Sequence, residues 1–168
     1  PEDYEKLTDA AEIVRTLPIR IDDASTLTPA QMMSRARRAK ADHGIKMICV
    51  DYLQLMQSNK RIDNRNQEVG EIVRHVKSIA RELDVPIVAL CQLNRGLESR
   101  QQKRPQLSDL RESGSIEAEA DLAMLLYREA YYSNSKNDVF DHNEVHEAEI
   151  IIAKHRNGPT GTVKLGFQ

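Results

Sequence analysis

Two short apolar segments with an amphipathic segment between them constrain the fold most. Residues 47–50 are continuously apolar and end at Asp51, and residues 85–91 form a second run interrupted by one proline. Such runs are typical of parallel strands that are buried on both faces. From 66 to 83, apolar residues recur every three or four positions, which predicts a helix. Strand, helix and strand in this order predict a right-handed crossover in a mainly parallel sheet flanked by helices, hence an α/β fold.

The residues before this unit predict three further elements. Apolar residues at three- and four-residue intervals predict a helix over 2–17, and alternation at 19–21 predicts a short strand. Thr28 begins a capping-box sequence with proline at the first helical position, so a second helix is predicted over 29–43. Gly44 suits the end of that helix in a left-handed conformation.

The residues after the unit predict a long connection followed by strands. Residues 92–114 are polar and rich in Arg and Gln, and a connection of this length favours a functional loop. A strand is predicted over 122–127, and the Asn/Asp/Ser-rich stretch 129–146 is predicted to be a loop. Residues 149–155 and 162–167 flank an Asn-Gly-Pro-Thr-Gly turn, which predicts a C-terminal antiparallel hairpin.

Composition limits the class of protein. With 168 residues and 40% hydrophobic content, residues 1–168 are expected to be part of a single globular domain. No apolar run approaches the length that crosses a membrane and no signal peptide is visible, so a cytoplasmic location is expected. Cys49 and Cys91 lack the spacing of a zinc or redox motif and are predicted to be buried, reduced thiols. The chain lacks an initiator methionine, which favours a truncated sequence.

Polar residues end both predicted parallel strands. A carboxylate at the position of Asp51 lies where α/β folds bind ligands, and in a nucleotide-driven motor it would hold Mg²⁺ through water. The alternative is an Asp that ends a strand in a turn. Gln92 would emerge beside Asp51 if the two strands are neighbours, and its amide could sense a terminal phosphate. The alternative is a solvated amide that opens the loop.

Cations cluster in the 92–114 loop and on the predicted hairpin. A net charge of −2 gives no overall attraction to nucleic acid, so contact with DNA would need a local cluster. The loop cations are suited to contact with a nucleic-acid backbone, and the lack of aromatic residues among them argues against base stacking. The cations are Arg95, Arg100, Lys103, Arg104 and Arg111. A solvated charged loop is the alternative.

Lys154 and Arg156 lie two residues apart on a predicted strand and therefore share a face near the hairpin tip. This arrangement suits a cationic finger that reaches the phosphates of a neighbouring subunit. Cations that block edge-to-edge strand pairing are the alternative. His142 and His146 are four residues apart, but no further ligand completes a metal site.

The chain has no Gly-rich phosphate loop. None of its seven glycines is followed by Lys-Ser or Lys-Thr, as the G-x-x-x-x-G-K-[ST] pattern requires. We therefore expect this segment alone to be unable to cradle a triphosphate and to be inactive as an ATPase.

Four sequence strings in order closely resemble the DnaB family of replicative helicases; they are Val50-Asp51-Tyr52-Leu53-Gln54-Leu55-Met56, Gln92-Leu93-Asn94-Arg95, Ser108-Asp109-Leu110-Arg111-Glu112-Ser113-Gly114-Ser115-Ile116 and Lys154-His155-Arg156-Asn157-Gly158-Pro159. The likeness runs from about residue 15 to the end and is poor over the first helix and 129–146. It implies part of a C-terminal RecA-like motor domain that lacks the Walker A loop.

The resemblance also implies an activity and partners. Members of this family form rings of six subunits with ATP sites between neighbours, and with ATP and Mg²⁺ they unwind duplex DNA at the replication fork while moving 5′ to 3′ on single-stranded DNA. Primase and a helicase loader are the implied partners, and the implied location is cytoplasmic, at the nucleoid.

By position in the matching strings, the resemblance assigns a role to each candidate residue. Asp51 would be the Mg²⁺-associated carboxylate and Gln92 the phosphate sensor. Three loop residues would hold single-stranded DNA, namely Arg111, Glu112 and Gly114, and three hairpin residues would contact nucleotide, namely Lys154, His155 and Arg156. Lys154 and Arg156 would act in trans. His155 stands where the family pattern leads us to expect Gln, which weakens its assignment.

Two other functions remain open at this point. A RecA-type recombinase or a clock-type ring ATPase shares the fold and the carboxylate at the strand end. A non-enzymatic adaptor that kept the fold and lost ATP binding is suggested by the missing phosphate loop.

Overall fold

The computed structural model describes residues 2–60, 62–133 and 145–168, with only the backbone of residues 2, 95, 98, 111–113 and 133. The helices of this part are α1 Glu2–Thr16, α2 Pro29–His43, α3 Arg65–Leu83, α4 Gly114–Glu119 and α5 Glu129–Ser133. The strands are β1 Ile48–Val50, β2 Ile87–Ala89, β3 Leu122–Tyr127, β4 His146–His155 and β5 Gly161–Phe167. Short 3₁₀ segments lie at Leu53–Leu55, Arg95–Ser99 and Leu107–Ser113.

Helix α2 has the ends that its sequence predicts. The Thr28 hydroxyl accepts a hydrogen bond from the backbone N–H of Gln31, and the Gln31 side chain accepts one from the backbone N–H of Thr28. Gly44 ends the helix at φ 62°, and its N–H donates to the Lys40 carbonyl. A residue with a Cβ is strained at that φ, so glycine fits this position.

Helix α3 packs against one face of the parallel strands and supplies most of the core. Asn64 caps its first turn, and its apolar stripe is buried, with Ile72 and Ile79 at 1% and 2% exposure. Met32 of α2 and Leu53 join the same cluster. The predicted amphipathic helix is confirmed, and it is the element on which both the strands and α2 rest.

Strands β1 and β2 pair in parallel, as the crossover pattern predicts, with Val50 opposite Ala89. The prediction that these strands are buried on both faces was wrong for this chain. Cys49 is exposed, and Val88 and Leu90 are 43% and 48% exposed. The physical reason is that α3 covers one face, while no element within residues 2–60, 62–133 and 145–168 covers the other.

The last three strands form a separate antiparallel sheet in the order β3-β4-β5. The predicted hairpin of β4 and β5 is confirmed, and the sheet is larger than the hairpin because β3 pairs along β4. The register shifts once: Met124 pairs with Ile152 and Ala123 with Lys154, so β4 carries one extra residue there. The α/β class, with a parallel sheet and a C-terminal antiparallel hairpin, is confirmed.

Other predictions differ from the structure. Residues 19–21 form no strand, because no described strand lies beside them, and Ile19 and Ile21 are 62% and 88% exposed. Cys49 is not buried and Cys91 is only partly so, although both are free thiols. The predicted loop over 129–146 begins with the short helix α5, and residues 134–144 lie outside the described part of the chain. No described helix has the length and hydropathy needed to cross a membrane.

Candidate nucleotide and nucleic-acid site

Asp51 and Gln92 lie at the same edge of the parallel pair. Since Val50 pairs with Ala89, both side chains follow the carboxyl ends of adjacent strands. The pairing continues past the strand ends, where the N–H of Leu90 donates to the Val50 carbonyl and the N–H of Leu53 donates to the Leu90 carbonyl, each at 2.9 Å. Both side chains are exposed. The edge therefore carries an exposed carboxylate and an exposed amide at the carboxyl ends of adjacent strands, which is where α/β folds bind ligands.

Gln54, which the sequence analysis did not single out, holds the backbone of Gln92. Its side-chain N–H₂ donates to the Gln92 carbonyl at 3.1 Å, and its side-chain oxygen accepts from the Gln92 N–H at 3.3 Å. The same amide nitrogen lies 3.0 Å from the sulfur of Cys91, whose pKa is raised by burial. A polar residue within the apolar string after Asp51 was the signal that could have identified it.

A small cleft of about 70 Å³ opens beside this edge. Its walls come from the Gln54 turn, the first turns of α3 and the 92–114 segment; the lining residues are Gln54, Arg65, Asn66, Val69, Gln92, Asn94, Asp109 and Leu110. Arg65 donates to the Gln54 carbonyl at 2.6 Å and pairs with Glu68. The cleft thus joins the Gln92 position to the segment predicted to bind DNA.

Two of the loop cations predicted to track nucleic acid are paired within the chain. Arg100 pairs with Asp109 at 2.7 Å, and Arg104 pairs with Glu149 of β4 at 2.6 Å. Lys103 lies 5.4 Å from the centre of the Tyr132 ring. The charges of Arg100 and Arg104 therefore anchor the loop to itself and to the antiparallel sheet, which spacing alone cannot reveal, and their contact with nucleic acid stays a prediction.

The three residues assigned to DNA fall at the junction of the last 3₁₀ turn and α4. The side chains of Arg111 and Glu112 lie outside the described part of the structure. Gly114 begins α4 in a right-handed conformation, with open space around the position of a Cβ. Neither backbone conformation nor crowding by the described residues requires glycine there.

Lys154 and Arg156 lie together and contact the C-terminal end of α4. The Lys154 ammonium donates to the carbonyls of Glu117 and Ala118. The Arg156 guanidinium donates to the Ala118 carbonyl at 2.6 Å and lies 3.3 Å from a carboxylate oxygen of Asp121. Since β4 is the central strand of its sheet, the alternative of cations that protect an edge strand loses support, although pairing with β5 ends at Ile152.

Asp121 is a second functional candidate that the sequence analysis missed. Its carboxylate pairs with Lys77 of α3 as well as with Arg156. The hydrogen bond from Lys77, together with the charges of Lys77 and Arg156, holds the pKa of Asp121 below its ordinary value. Asp121 is therefore ionised at neutral pH and gives the two cations a fixed negative partner.

His155 turns towards its own hairpin. Its Nδ1 lies 3.4 Å from the Pro159 carbonyl, and a Cβ added at Gly158 would lie 2.4 Å from the ring. Gly158 therefore provides the space for the imidazole. His142, one of the two histidines four residues apart, lies outside the described residues, and within the described residues no group of three potential metal ligands gathers.

Comparisons with known proteins agree with one another. The model of the DnaB-like helicase C-terminal domain matches residues 1–168, so the match includes the first helix and the 129–146 segment, where we expected a poor one. The replicative DNA helicase DnaC of Bacillus subtilis is 51% identical over 99% of this chain and 36% of its own length. The replicative DNA helicase DnaB of Geobacillus stearothermophilus is 49% identical over 99% of this chain and 36% of its length.

Solved structures show the same relationship. A structure solved as an ATPase domain superposes with a TM-score of 0.87 at 42% identity, and the match covers 99% of this chain and 57% of that one. A DnaB-like replicative helicase, in a structure that also addresses its interactions with primase, gives 0.87 and 42% over 100% of this chain and 40% of that one. The chain spans about a third of the length of the curated relatives.

The chain has a RecA-like ATPase fold, which is defined by the carboxylate and amide at the strand ends, the crossover helix and these superpositions. It belongs to the DnaB-like helicase C-terminal domain family.

Proposed function

We propose that this chain is the sensing and DNA-gripping part of an ATP-dependent replicative DNA helicase. The full-length protein would unwind duplex DNA at the replication fork as a hexameric ring that moves 5′ to 3′ on single-stranded DNA. The observation that carries the proposal is the placement of Asp51 and Gln92 on one sheet edge, with Lys154 and Arg156 gathered on a different sheet. Relatives of this chain are named replicative DNA helicases, which supports it.

The described residues suit a magnesium nucleotide in part. Asp51 is an exposed carboxylate, which fits a Mg²⁺ ion held through water, whereas the described part of the chain gathers no group of three acidic, His or Cys ligands. The sequence also lacks a phosphate loop, so the triphosphate needs residues beyond these 168. When bound, ATP supplies the phosphoanhydride bond whose cleavage drives movement. Gln92, whose backbone is held by Gln54, would supply the amide that senses the terminal phosphate.

The cations act across a subunit boundary in this proposal. Lys154 and Arg156 of one subunit contact the phosphates bound by the next, where positive charge stabilises the charge that develops on the transferred group. His155, between them, stays a candidate nucleotide contact. Loss of these contacts after hydrolysis would let neighbouring subunits shift relative to one another.

Single-stranded DNA is assigned to the junction that contains Arg111, Glu112 and Gly114. The cleft beside Gln92 is lined by Asp109 and Leu110, which directly precede that junction. A change at the phosphate end of the cleft can therefore reach the DNA segment through adjacent residues. A primase partner is suggested by the related helicase structure, and a loader and a location at the nucleoid complete the proposal.

The test is Arg156→Ala in the full-length protein. We expect the variant to lose DNA-stimulated ATP hydrolysis while ATP binding stays within a few fold, because the finger acts on the transition state and not on ground-state affinity. Arg38→Ala, which removes an exposed cation from α2, is the matched control and should keep full turnover. Unchanged turnover in Arg156→Ala would refute the finger role.

No observation favours the recombinase, the clock-type ATPase or the adaptor that the sequence left open. Unwinding of a forked duplex separates a helicase from a recombinase, which exchanges strands. An adaptor would hydrolyse no ATP with or without DNA.

A further inference from the structure

Helix α4 connects the segment assigned to DNA with the two trans-acting cations. The 3₁₀ turn Leu107–Ser113 runs directly into α4 Gly114–Glu119, so no flexible linker separates them. The C-terminal carbonyls of α4 then accept hydrogen bonds from Lys154 and Arg156. The negative end of a helix favours cations, which adds to these contacts.

The start of α4 is fixed to α3 by close packing. Ile116 is buried in the core cluster that α3 organises. A Cβ added at Gly70 would lie 2.6 Å from the hydroxyl oxygen of Ser115 and 3.2 Å from its Cβ, so glycine at position 70 leaves room for Ser115 of α4. Helix α4 is therefore held in a fixed position against α3, and so are the carbonyls at its C-terminal end.

Asp121 ties the other end of this connection to the same helix. Its carboxylate bridges Lys77 of α3 and Arg156, and its backbone carbonyl accepts from the Arg156 N–H at 2.8 Å. Both the main chain and the side chain of Arg156 are thus held by one residue. A guanidinium has five N–H donors, so Arg156 can keep its contacts with Asp121 and Ala118 while others bind a phosphate.

We propose that Asp121, together with the carbonyl end of α4, is the positioning site for Arg156, and that it holds the guanidinium where it can contact the neighbouring subunit's phosphates. This inference rests on the proposed function. Asp121 is a positioning residue: it orients the guanidinium and touches no reacting atom.

The first experiment replaces Asp121 by Asn in the full-length protein, which removes the charge at nearly constant volume. We expect kcat for DNA-stimulated ATP hydrolysis to fall about tenfold with KM for ATP within about twofold, because misorientation of a reacting group costs one to two orders of magnitude. Asp121→Glu should recover most of the loss. Lys77→Met, which breaks the other ion pair, should lower kcat less than Asp121→Asn.

The second experiment combines Asp121→Asn with Arg156→Lys, since a double-mutant cycle isolates the coupling between two residues. If Asp121 acts through Arg156, the Asn substitution costs little in the Lys background. A full tenfold loss in that background overturns the inference. If Asp121→Asn does not fold, the same cycle is run with Asp121→Ser, which also removes the carboxylate.

The two proposals fail in distinguishable ways. Unchanged turnover in Arg156→Ala refutes the finger role, and the inference about Asp121 falls with it. Loss of turnover in Arg156→Ala together with wild-type kcat in Asp121→Asn refutes the positioning role alone.

Discussion

The edge of the parallel pair and the cation end of the antiparallel sheet are built in opposite ways. At the edge, Gln54 holds the backbone of Gln92, and the exposed tips of Asp51 and Gln92 find no hydrogen-bond partner among the described residues. At the cation end, the tips of Lys154 and Arg156 are themselves held.

The difference shows that the backbone is fixed at the sheet edge, whereas side chains at the cation end can exchange partners. A side chain with a fixed backbone and an exposed tip can bind a ligand without first breaking a contact within the protein. Lys154, which is held by neutral carbonyls at an exposed helix end, can give up those contacts to a phosphate, which is a stronger, charged acceptor. Arg156 can bind the same kind of acceptor with its remaining N–H donors. The edge is therefore the preorganised half of the proposed site, and the cation end is the half expected to respond to nucleotide.

Ile72→Ala should destabilise both the sheet edge and the cation end, and it should have the largest effect. Ile72 lies in α3, which lines the cleft at one end and carries Lys77 at the other, and it is 1% exposed. Loss of buried methylene groups in a tight core costs about 2–5 kcal/mol. The urea midpoint of unfolding measures it, with Val163→Ala on the exposed strand β5 as the control. Equal midpoints for the two variants would contradict the assignment of α3 as the shared support.

Gln54→Ala should disturb the sheet edge and leave the cation end unchanged. Removal of the side-chain amide frees the backbone of Gln92, so we expect a loss of about ten- to a hundredfold in kcat for ATP hydrolysis by the full-length protein. The exposed Gln57 nearby supplies the control, since Gln57→Ala should keep full turnover and leave the contacts of Gln54 with the Cys91 sulfur and the Gln92 backbone in place. If both variants match the wild type, the clamp does not position the sensor.

The smallest expected effect is the loss of stability at the sheet edge when the pH is lowered. Glu68 fixes the segment after Gln54 by accepting from the Ser58 N–H, and that bond, followed by the one from Arg65, lowers the pKa of Glu68. A lowered pKa means that the stabilisation is complete above the ordinary value of 4.5 and is lost as pH falls through the folded-state pKa.

Glu68→Gln should therefore make the free energy of unfolding depend less on pH below about 4.5. We expect the acid-dependent part that is lost to be under about 1 kcal/mol. Urea unfolding at a series of pH values measures it. An identical acid dependence in the variant and the wild type would show that this bond does not contribute.

Local patterns predicted the elements whose signals lie within a few residues of one another. The capping box at Thr28, the apolar stripe of α3 and the parallel partners of β1 and β2 all followed from spacing and residue type. The neighbouring positions of Asp51 and Gln92 followed as well, because the carboxyl ends of adjacent parallel strands meet at one edge.

Features that depend on distant partners could not be predicted this way. Arg104 pairs with Glu149, which lies 45 residues away on another element. The alternation at 19–21 had no strand to pair with, and β1 had one face without a cover. Gln54 and Asp121 were missed because each takes its role from a contact that the fold creates and the local sequence does not mark.

The extra residue in β4 sets the direction of the cationic pair. In an unbroken strand Lys154 would project on the same side as Ile152, since their positions have the same parity. With the insertion, Ile152 stands opposite Met124, whereas Lys154 stands opposite Ala123, on the inner side with Leu125. One extra residue in β4 therefore decides which face of the sheet the charges occupy. A deletion that restored regular alternation would turn the unaltered Lys154 side chain to the outer face.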